Sequence, residues 1–198
     1  MRLRIFCYFD GTIAQNDVGN LVFTKFGDAD YWWDLVEQWK RGEIDGRDLW
    51  RKQAAVSKMK PAELDEFAAT QALDPHFNGF INFCRKNEFP VYVCSDGMDA
   101  YISRILKHHG LDNLTVYSNH LEIADDGTLA VNFPYYEFGC KQCANCKGYH
   151  VRFKKEPGEK TVYIGDGNSD KCGAIEADIV FAKKDLLDYC RQKYLDCF

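Results

Sequence analysis

The stretch LRIFCYFDGT, residues 3–12, decides the fold. Its first half is a short apolar run rich in β-forming residues, and FDGT then breaks the run with a turn. Three later segments repeat this pattern of an apolar run followed by small and polar residues: PVYVCSDG at 90–97, TVYIGDGNSD at 161–170 and ADIVFAK at 177–183. Continuous apolar strands separated by helical stretches are typical of a parallel sheet covered on both faces. The sequence therefore predicts a doubly wound α/β fold, with its functional groups at the carboxyl ends of the strands.

Helical patterns fill the connections between these strands. YISRILKHHG at 101–110 and KDLLDYCRQK at 184–193 are predicted crossover helices, the first of them stopped by Gly110. LTVYSNHLEIADDGTLAVNF at 114–133 has the alternation of a β-hairpin, with DDGT as its turn. Both features are consistent with a single α/β core.

A long insertion separates the first two strands. Residues 14–76 are rich in helix formers and aromatic residues, and the segment is too long for a simple crossover. We expect a helical cap over the strand ends, with residues 1–13 and 77–198 forming the core. The insertion holds the four tryptophans of the chain, which we expect to form the core of the cap rather than a ligand platform: Trp32, Trp33, Trp39 and Trp50.

Composition excludes several classes of protein. The 198 residues carry a formal charge of −5 and no basic block, which argues against a general nucleic-acid surface. No apolar run approaches the roughly 18 residues of a membrane span, so no membrane partner is expected. The apolar run at the N-terminus is too short for a signal peptide and lacks a small-residue cleavage site, which predicts a cytoplasmic location. The sequence does not indicate the oligomeric state.

Four short motifs follow the predicted strands in a fixed order. FDGT follows the first strand and CSDG the second, CKG opens a later helix, and GDGNSD follows a further strand. Each motif alone fits an ordinary turn. Together they resemble the haloacid dehalogenase superfamily of phosphatases, over essentially the whole chain, and the insertion is similar to the first cap type of that superfamily. SDGMD and CKG further resemble the branch that contains phosphoserine phosphatase, the methionine-salvage ketopentenyl-phosphate phosphatase and the phosphocholine/phosphoethanolamine phosphatases.

The resemblance implies a Rossmann-like core that hydrolyses a small-molecule phosphomonoester with Mg²⁺ through an aspartyl-phosphate. Asp10 would be the general acid/base, and its backbone carbonyl would be a metal ligand. Asp166 would bind Mg²⁺, and Asp170 would bind it directly or through water. Lys147, at a helix start, would balance the charge of phosphate and carboxylates. The phosphate-binding set would be Gly11, Thr12, Ser95, Asp96, Gly97 and Lys147.

One residue departs from this pattern. The family places its nucleophilic aspartate two residues before Asp10, and here that position is Tyr8. A phenol with a pKa of about 10 is roughly a thousandth ionised at neutral pH, which makes it a poor nucleophile without strong activation. The change also removes a carboxylate ligand for Mg²⁺, and the ring is larger than the group it replaces.

Four explanations of Tyr8 stay open at this point. The chain is a substituted or degenerate phosphatase with little or no activity, which is the explanation we favour. It is a pseudoenzyme that binds a phosphorylated ligand without hydrolysing it. Tyrosine itself is the nucleophile, activated by Mg²⁺ and Lys147. Finally, Asp10 takes over as nucleophile, which would leave the acid/base role empty.

The nine cysteines form a second signal. EFGCKQCANCKGYH places Cys140, Cys143 and Cys146 at a C-x2-C-x2-C spacing, which lets thiolates converge on one soft ion. We predict a structural Zn²⁺ that pins the loop before Lys147. The fourth ligand would be His150, Cys172 or a more distant cysteine.

Two alternatives to zinc remain for this loop. An iron–sulfur site is one, although no C-x3-C-P completes the ferredoxin spacing. A redox pair of Cys143 and Cys146 is the other, and it would make the chain a thiol redox protein, although no thioredoxin-like context surrounds the pair.

Overall fold

The computed structural model describes residues 2–198, and six strands in this range form one sheet. In chain order these are β1 (Arg2–Cys7), β2 (Val91–Met98), β3 (Thr115–Ile123), β4 (Leu129–Asn132), β5 (Glu159–Gly165) and β6 (Ile179–Ala182). Their spatial order is β4-β3-β2-β1-β5-β6, and all neighbours are parallel except β3 and β4. The predicted parallel sheet is confirmed, with one antiparallel strand added at its edge.

The predicted hairpin supplies that edge strand. β3 and β4 pair from His120 with Asn132 to Ile123 with Leu129. Gly127 in the DDGT turn has a φ of +85°, a conformation that L side chains rarely adopt.

Helices cover the sheet and form the insertion. They are α1 (Val18–Phe26), α2 (Ala29–Lys40), α3 (Gly46–Val56), α4 (Pro61–Ala69), α5 (Phe77–Lys86), α6 (Asp99–His108), α7 (Lys147–Lys154), α8 (Lys171–Glu176) and α9 (Lys184–Gln192). α6 is the predicted crossover helix between β2 and β3, whereas α9 forms as a helix but follows the last strand and therefore crosses over to none. Among the helices of residues 2–198, none has the length and apolar content of a membrane-spanning segment.

Local capping explains where the inserted helices begin. The carboxylates of Asp17, Asp28 and Asp45 each accept the backbone N–H three residues ahead, at the starts of α1, α2 and α3. α4 begins at Pro61, whose missing N–H costs nothing at the first helical position.

The sheet is buried on both faces because alternate residues of β1 point in opposite directions. Ile5 and Cys7 join a large apolar cluster on one face, and Phe6 joins a smaller one with Tyr163 on the other. The larger cluster continues into the insertion, where Phe23 stacks on Trp32 with ring centroids 5.6 Å apart. The four inserted helices lie between β1 and β2, and the boundaries 14–76 of the cap stay a prediction.

Candidate active site

The loop after β1 brings backbone and carboxylates close together. Tyr8 extends β1 by one hydrogen bond, from its N–H to the Ile164 carbonyl at 2.9 Å, and the chain then turns through Phe9–Ile13. Gly11 has a φ of +68°, and a Cβ at this position would lie 2.5 Å from Oδ2 of Asp166. Only glycine satisfies both the left-handed backbone and this close approach.

Asp10 is held in place by two donors. Its Oδ1 accepts the backbone N–H of Gly19 and its Oδ2 accepts the Ser95 hydroxyl, each at 3.0 Å. Burial and the neighbouring Asp17 carboxylate raise the pKa of Asp10 to about 7, against the opposing effect of these hydrogen bonds. A carboxyl group that titrates near neutral pH can both give and take a proton.

Tyr8 projects into the same space. Lys147 Nζ lies 4.2 Å from the centroid of its ring, a cation–π contact. Enclosure and the carboxylates of Asp10, Asp17 and Asp170 raise the pKa of Tyr8 well above its ordinary value. The phenol is therefore neutral at physiological pH, even with a lysine against its face.

Lys147, the first residue of α7, is completely buried. Its Nζ donates to the carbonyl of Ser169 at 3.1 Å and lies 3.5 Å from Oδ1 of Asp170. Burial opposes its charge, but Asp170, Asp96 and other acidic neighbours outweigh it and raise the pKa of Lys147. The lysine is therefore a fixed positive charge beneath the loop that follows β5.

The two predicted aspartates after β5 occupy different positions. Asp166 faces the cavity, and its Oδ1 accepts the Thr12 hydroxyl at 3.0 Å. Asp170 is completely buried, and its oxygens accept the Tyr163 hydroxyl and the N–H groups of Asp166 and Gly167. With these donors and Lys147 around it, Asp170 has no oxygen left for a metal ligand bond, which argues against direct binding.

Thr12 also differs from its predicted role. Its hydroxyl is used on Asp166, and its side chain lies on a separate, more apolar cavity beside Phe77 and Phe181. We therefore regard Thr12 as a residue that orients Asp166 rather than one that contacts phosphate.

The CSDG motif is not a turn, because β2 continues through it to Met98. The Ser95 hydroxyl accepts the N–H of Gly97 at 3.0 Å while donating to Asp10, so it links two motifs. A Cβ on Gly97 would lie 1.7 Å from the hydroxyl of Tyr101, which leaves no room for a side chain. Asp96 faces the cavity, and burial raises its pKa to about 6.

Asn145 is a central residue that no motif identifies. It is completely buried, and its amide group donates to the carbonyls of Ser95 and Tyr117 at 2.8 and 2.9 Å. Its Oδ1 lies 2.6 Å from His150 Nε2, which must therefore be the protonated ring nitrogen. Its backbone N–H reaches Oδ1 of Asp96. Asn145 thus connects β2, β3 and α7 beneath the site.

Lys184 is a second residue that sequence reasoning missed. Its Nζ lies 2.8 Å from Oδ2 of Asp166, although the two residues are 18 apart in the sequence. Its φ of +48° places it in the left-handed region. That backbone conformation is uncommon for a lysine. Lys184 therefore adds a cation at the rim of the cavity to Lys147 below it.

These groups surround a cavity of about 310 Å³. Its polar end is formed by Tyr8, Asp10, Asp17, Asp96 and Asp166. The opposite wall comes from the insertion and includes all four tryptophans: Trp32, Trp33, Trp39 and Trp50. The prediction that they form only the core of the cap is wrong for Trp33, which is 48% exposed. The helical periodicity marks these residues as apolar, but it does not show that their side chains line the cavity at the strand ends.

The oxygen donors at the polar end suit a hard divalent cation. Asp166 and the Asp10 loop supply carboxylate and carbonyl oxygens, and Mg²⁺ commonly takes one or two protein carboxylates and keeps several waters. Tyr8 adds no carboxylate, so the set is one ligand short of what the resemblance implies. Within residues 2–198, no three carboxylates bring their oxygens within 4.8 Å of one another. The residues present fit a Mg²⁺ ion held by few protein ligands.

The cysteine loop lies on the other side of Lys147. The thiols of Cys140, Cys146 and Cys172 are within 4.8 Å of one another, so the structure adds Cys172 to the predicted set. Cys143 is not within that distance of all three, although its backbone N–H lies 3.4 Å from Sγ of Cys140. His150, a suggested fourth ligand, is instead bonded to Asn145 and stacked on Tyr117.

Comparison with known proteins gives a consistent result. The model of a family described as Putative Phosphatase matches residues 3–193. Pdp3-interacting factor 1 of Schizosaccharomyces pombe is 28% identical, with 97% of this chain and 87% of that protein covered. The 2-hydroxy-3-keto-5-methylthiopentenyl-1-phosphate phosphatase of Bacillus cereus strain G9842 is also 28% identical, with 98% and 90% covered.

Solved structures show the same fold. A phospho-aspartyl intermediate analogue of phosphoserine phosphatase superposes with a TM-score of 0.73 at 19% identity, covering 99% of this chain and 91% of that one. A substrate-bound phosphoserine phosphatase superposes with a TM-score of 0.74, also at 19% identity, covering 100% and 93%. The similarity extends over the inserted helices as well as the sheet.

Proposed function

Because the chain belongs to the Putative Phosphatase family, within the phosphoserine phosphatase-like branch of the haloacid dehalogenase phosphatases, we propose that it is a small-molecule phosphomonoester hydrolase whose hydrolytic step is impaired by Tyr8. The observation that carries this proposal is the position of the Tyr8 ring, inside the cavity and against Lys147. Asp10 and Asp166 line the same cavity, and the Ser95 hydroxyl is hydrogen-bonded to Asp10.

The remaining residues keep their proposed roles. Asp10 would protonate the leaving alcohol and then take a proton from the attacking water, since Ser95 and Gly19 fix its two oxygens. The backbone beyond Ser95 would donate to phosphoryl oxygens, because Gly97 brings an unshielded main chain to the cavity wall. Lys147 would supply positive charge from below, although in this chain the Tyr8 ring stands in front of it.

Magnesium is part of this proposal. Asp166 and the backbone carbonyl of Asp10 would hold it, with water in the remaining positions, and Asp170 would orient the loop that carries Asp166. When bound, the ion would neutralise charge on the phosphoryl oxygens. Lys184 Nζ already donates to Oδ2 of Asp166, so it would either share that oxygen with the ion or move away.

Tyr8 weakens the reaction for two physical reasons. Its surroundings favour the neutral phenol, so the fraction of nucleophilic phenolate is smaller than in an ordinary tyrosine. Its ring also fills space at the floor of the cavity, where the phosphoryl group of a substrate would lie. Asp10 is a poor substitute nucleophile, because its acid/base role would then be lost.

The rest of the cavity indicates what a substrate would look like. The tryptophan side chains of the segment 14–76 line the cavity with aromatic surface, which suits an apolar or cationic group beyond the phosphate. A volume of about 310 Å³ accommodates a metabolite rather than a polymer. We therefore propose a small phosphorylated metabolite as substrate and the segment 14–76 as the cap that selects it.

Phosphate release from an aryl phosphate with Mg²⁺ tests the proposal. We expect Tyr8→Asp to raise turnover by at least about 10³-fold, because it restores a charged nucleophile and clears the floor. Tyr8→Asn is the matched control, since it clears the same space without a nucleophile and should stay at background. Equal rates for the unchanged chain and Tyr8→Asp would refute the impairment. Tyr8→Phe then decides whether the phenol itself reacts.

A second function is favoured by the cavity that remains open beside Tyr8. The unchanged chain would then bind a phosphomonoester without hydrolysing it, as a pseudoenzyme does. Calorimetric titration with orthophosphate and with an aryl phosphate tests this directly. Binding to the unchanged chain that is lost in Lys147→Met would support the pseudoenzyme, whereas binding only to Tyr8→Asp would eliminate it.

A further inference from the structure

A compact group of thiols lies at the N-terminal ends of α7 and α8, outside the catalytic cavity. Cys140 and Cys146 come from the loop before α7, and Cys172 comes from the first turn of α8. Their sulfur atoms are all within 4.8 Å of one another. Cys143 is buried in the same loop, with its backbone N–H 3.4 Å from Sγ of Cys140. We propose that the four cysteines bind one structural Zn²⁺ ion, with Cys172 as the ligand that closes the site.

The distances require little movement. Zn–S bonds of about 2.3 Å in a tetrahedron place neighbouring sulfurs about 3.8 Å apart. The three grouped sulfurs already lie within 4.8 Å, so a contraction of about 1 Å or less completes their part of the tetrahedron. Cys143 is mostly buried beside them and completes the set by a change of side-chain position.

The backbone conformation of the cysteine loop also favours a metal site. The N–H of Cys143 points at Sγ of Cys140 at 3.4 Å, a contact that stabilises a thiolate ligand. Lys141 between them has a φ of +66°, which turns the chain tightly enough to aim both thiols inward. A Cβ on Gly139 would lie 2.5 Å from Cβ of Cys146, so the two ends of the loop are in direct contact.

Cys172 is held against the loop by helix packing. A Cβ on Gly148 would lie 2.7 Å from the carbonyl oxygen of Cys172, so the backbones of α7 and α8 touch at this point. The approach does not depend on a flexible side chain, because both atoms that define it are fixed by the main chain. The fourth sulfur therefore comes from a different part of the fold, 26 residues or more along the chain from the other three.

The geometry disfavours a dithiol switch. A redox pair needs two thiols that are closer to each other than to any third, as in a C-x-x-C motif. Here Cys146 has two other thiols, those of Cys140 and Cys172, within 4.8 Å. A cluster of four thiols from two chain segments is typical of a closed tetrahedral metal site.

The proposed ion would brace the catalytic groups. Cys146 directly precedes Lys147, and Cys172 follows Asp170 by two residues, so the site clamps together the segments that present these two charges. The same loop carries Asn145 and reaches the insertion, where the Gln142 carbonyl accepts the N–H of Gly46 at 2.8 Å. Zinc would thus fix the loop on which both the lysine and the cap rest.

Metal analysis and X-ray absorption on the unchanged full-length chain test the proposal. We expect about one zinc per chain after purification in zinc-containing buffer without chelator, with four sulfurs at about 2.3 Å. Cys172→Ser should lower the bound zinc at least tenfold after dialysis against a mild chelator, and Cys197→Ser is the matched control that should retain it. Cys140→Ser, at the exposed edge of the loop, gives the same test if Cys172→Ser fails to fold.

Several outcomes would overturn the proposal. The site would be excluded if the four proposed ligands all reacted with a thiol reagent in protein loaded with equimolar zinc: Cys140, Cys143, Cys146 and Cys172. Three sulfurs with a nitrogen ligand would exclude the four-cysteine site, and a Cys172→Ser variant that keeps its zinc would remove Cys172 from it. Iron with inorganic sulfide and visible absorption would replace zinc by an iron–sulfur cluster, and a reversible disulfide that leaves two cysteines free would restore the redox function.

Discussion

Replacing Asn145 by leucine should destabilise the protein by about 3 kcal/mol. The side chain of Asn145 is completely buried and makes three hydrogen bonds, to the carbonyls of Ser95 and Tyr117 and to Nε2 of His150. Leucine has a similar volume and leaves no large cavity, so the loss comes mainly from the polar groups that it strands.

The magnitude follows from the number of stranded groups. Each of the three lost bonds is worth about 1 kcal/mol net, and each buried partner without a replacement costs about 1–3 kcal/mol. The favourable burial of leucine offsets part of this penalty, which places the expected loss at about 3 kcal/mol. For a chain of this size, that is a drop in melting temperature of about 6–12 °C.

Urea unfolding followed by circular dichroism measures the change as a shift of the midpoint at constant slope. Asn113→Leu is the matched control, because Asn113 is exposed and accepts one hydrogen bond from Arg85. It should change the free energy of unfolding by less than about 0.5 kcal/mol. A loss below about 1 kcal/mol for Asn145→Leu would refute the role of Asn145 as the connection between β2, β3 and α7.

Three further changes test other parts of the structure. His150 is 1% exposed, and burial lowers its pKa to about 4. The unfolded chain therefore binds a proton at His150 below about pH 6.5 that the folded chain does not, so in urea unfolding this residue should contribute a loss of about 2 kcal/mol between pH 7.5 and 5, measured as the difference between the unchanged chain and His150→Gln. His150→Gln should lack this loss, and an unchanged pH slope would count against the buried neutral imidazole. Partial burial opposes ionisation of Asp178, yet hydrogen bonds from Lys155 and Thr161 lower its pKa to about 2. Asp178→Asn should cost about 1 kcal/mol at pH 7, and the deficit should shrink as the pH falls from about 4 towards 2, because that stability is present only while the carboxylate is charged. Gly46→Ala should lower the melting temperature, since its Cβ would lie 2.7 Å from the Ala144 nitrogen, whereas Gly79→Ala on an open face of α5 should raise it by stiffening the unfolded chain. Equal shifts for these two glycines would contradict the close contact between the cap and the cysteine loop.

The sheet and the grouping of most motif residues at one of its edges could be predicted because their signals are local. Four apolar runs each end in small and polar residues, and parallel strands bring those ends to one edge. The position of Tyr8 against Lys147 follows from that arrangement once the strand order is known. The antiparallel strand β4 could also be predicted from the sequence, because DDGT marks the turn before it.

The remaining features depend on contacts between distant segments. Asn145 bonds to carbonyls 50 and 28 residues away, and polar residues in a loop carry no pattern that reveals such partners. Lys184 reaches Asp166 from the start of a helix that the sequence marks only as amphipathic. Cys172 was one of three candidates for a fourth ligand, and only the packing of α7 on α8 separates it from His150.

The proposal that Tyr8 impairs hydrolysis is tested by locating the phosphoryl group on the protein during the reaction. The unchanged chain and Tyr8→Asp are mixed with an aryl phosphate and Mg²⁺, quenched in acid, and mapped by peptide mass spectrometry. We expect a phosphoryl group at position 8 of the Tyr8→Asp variant and none on the unchanged chain. A phosphoryl group on Tyr8 or on Asp10 of the unchanged chain would contradict it.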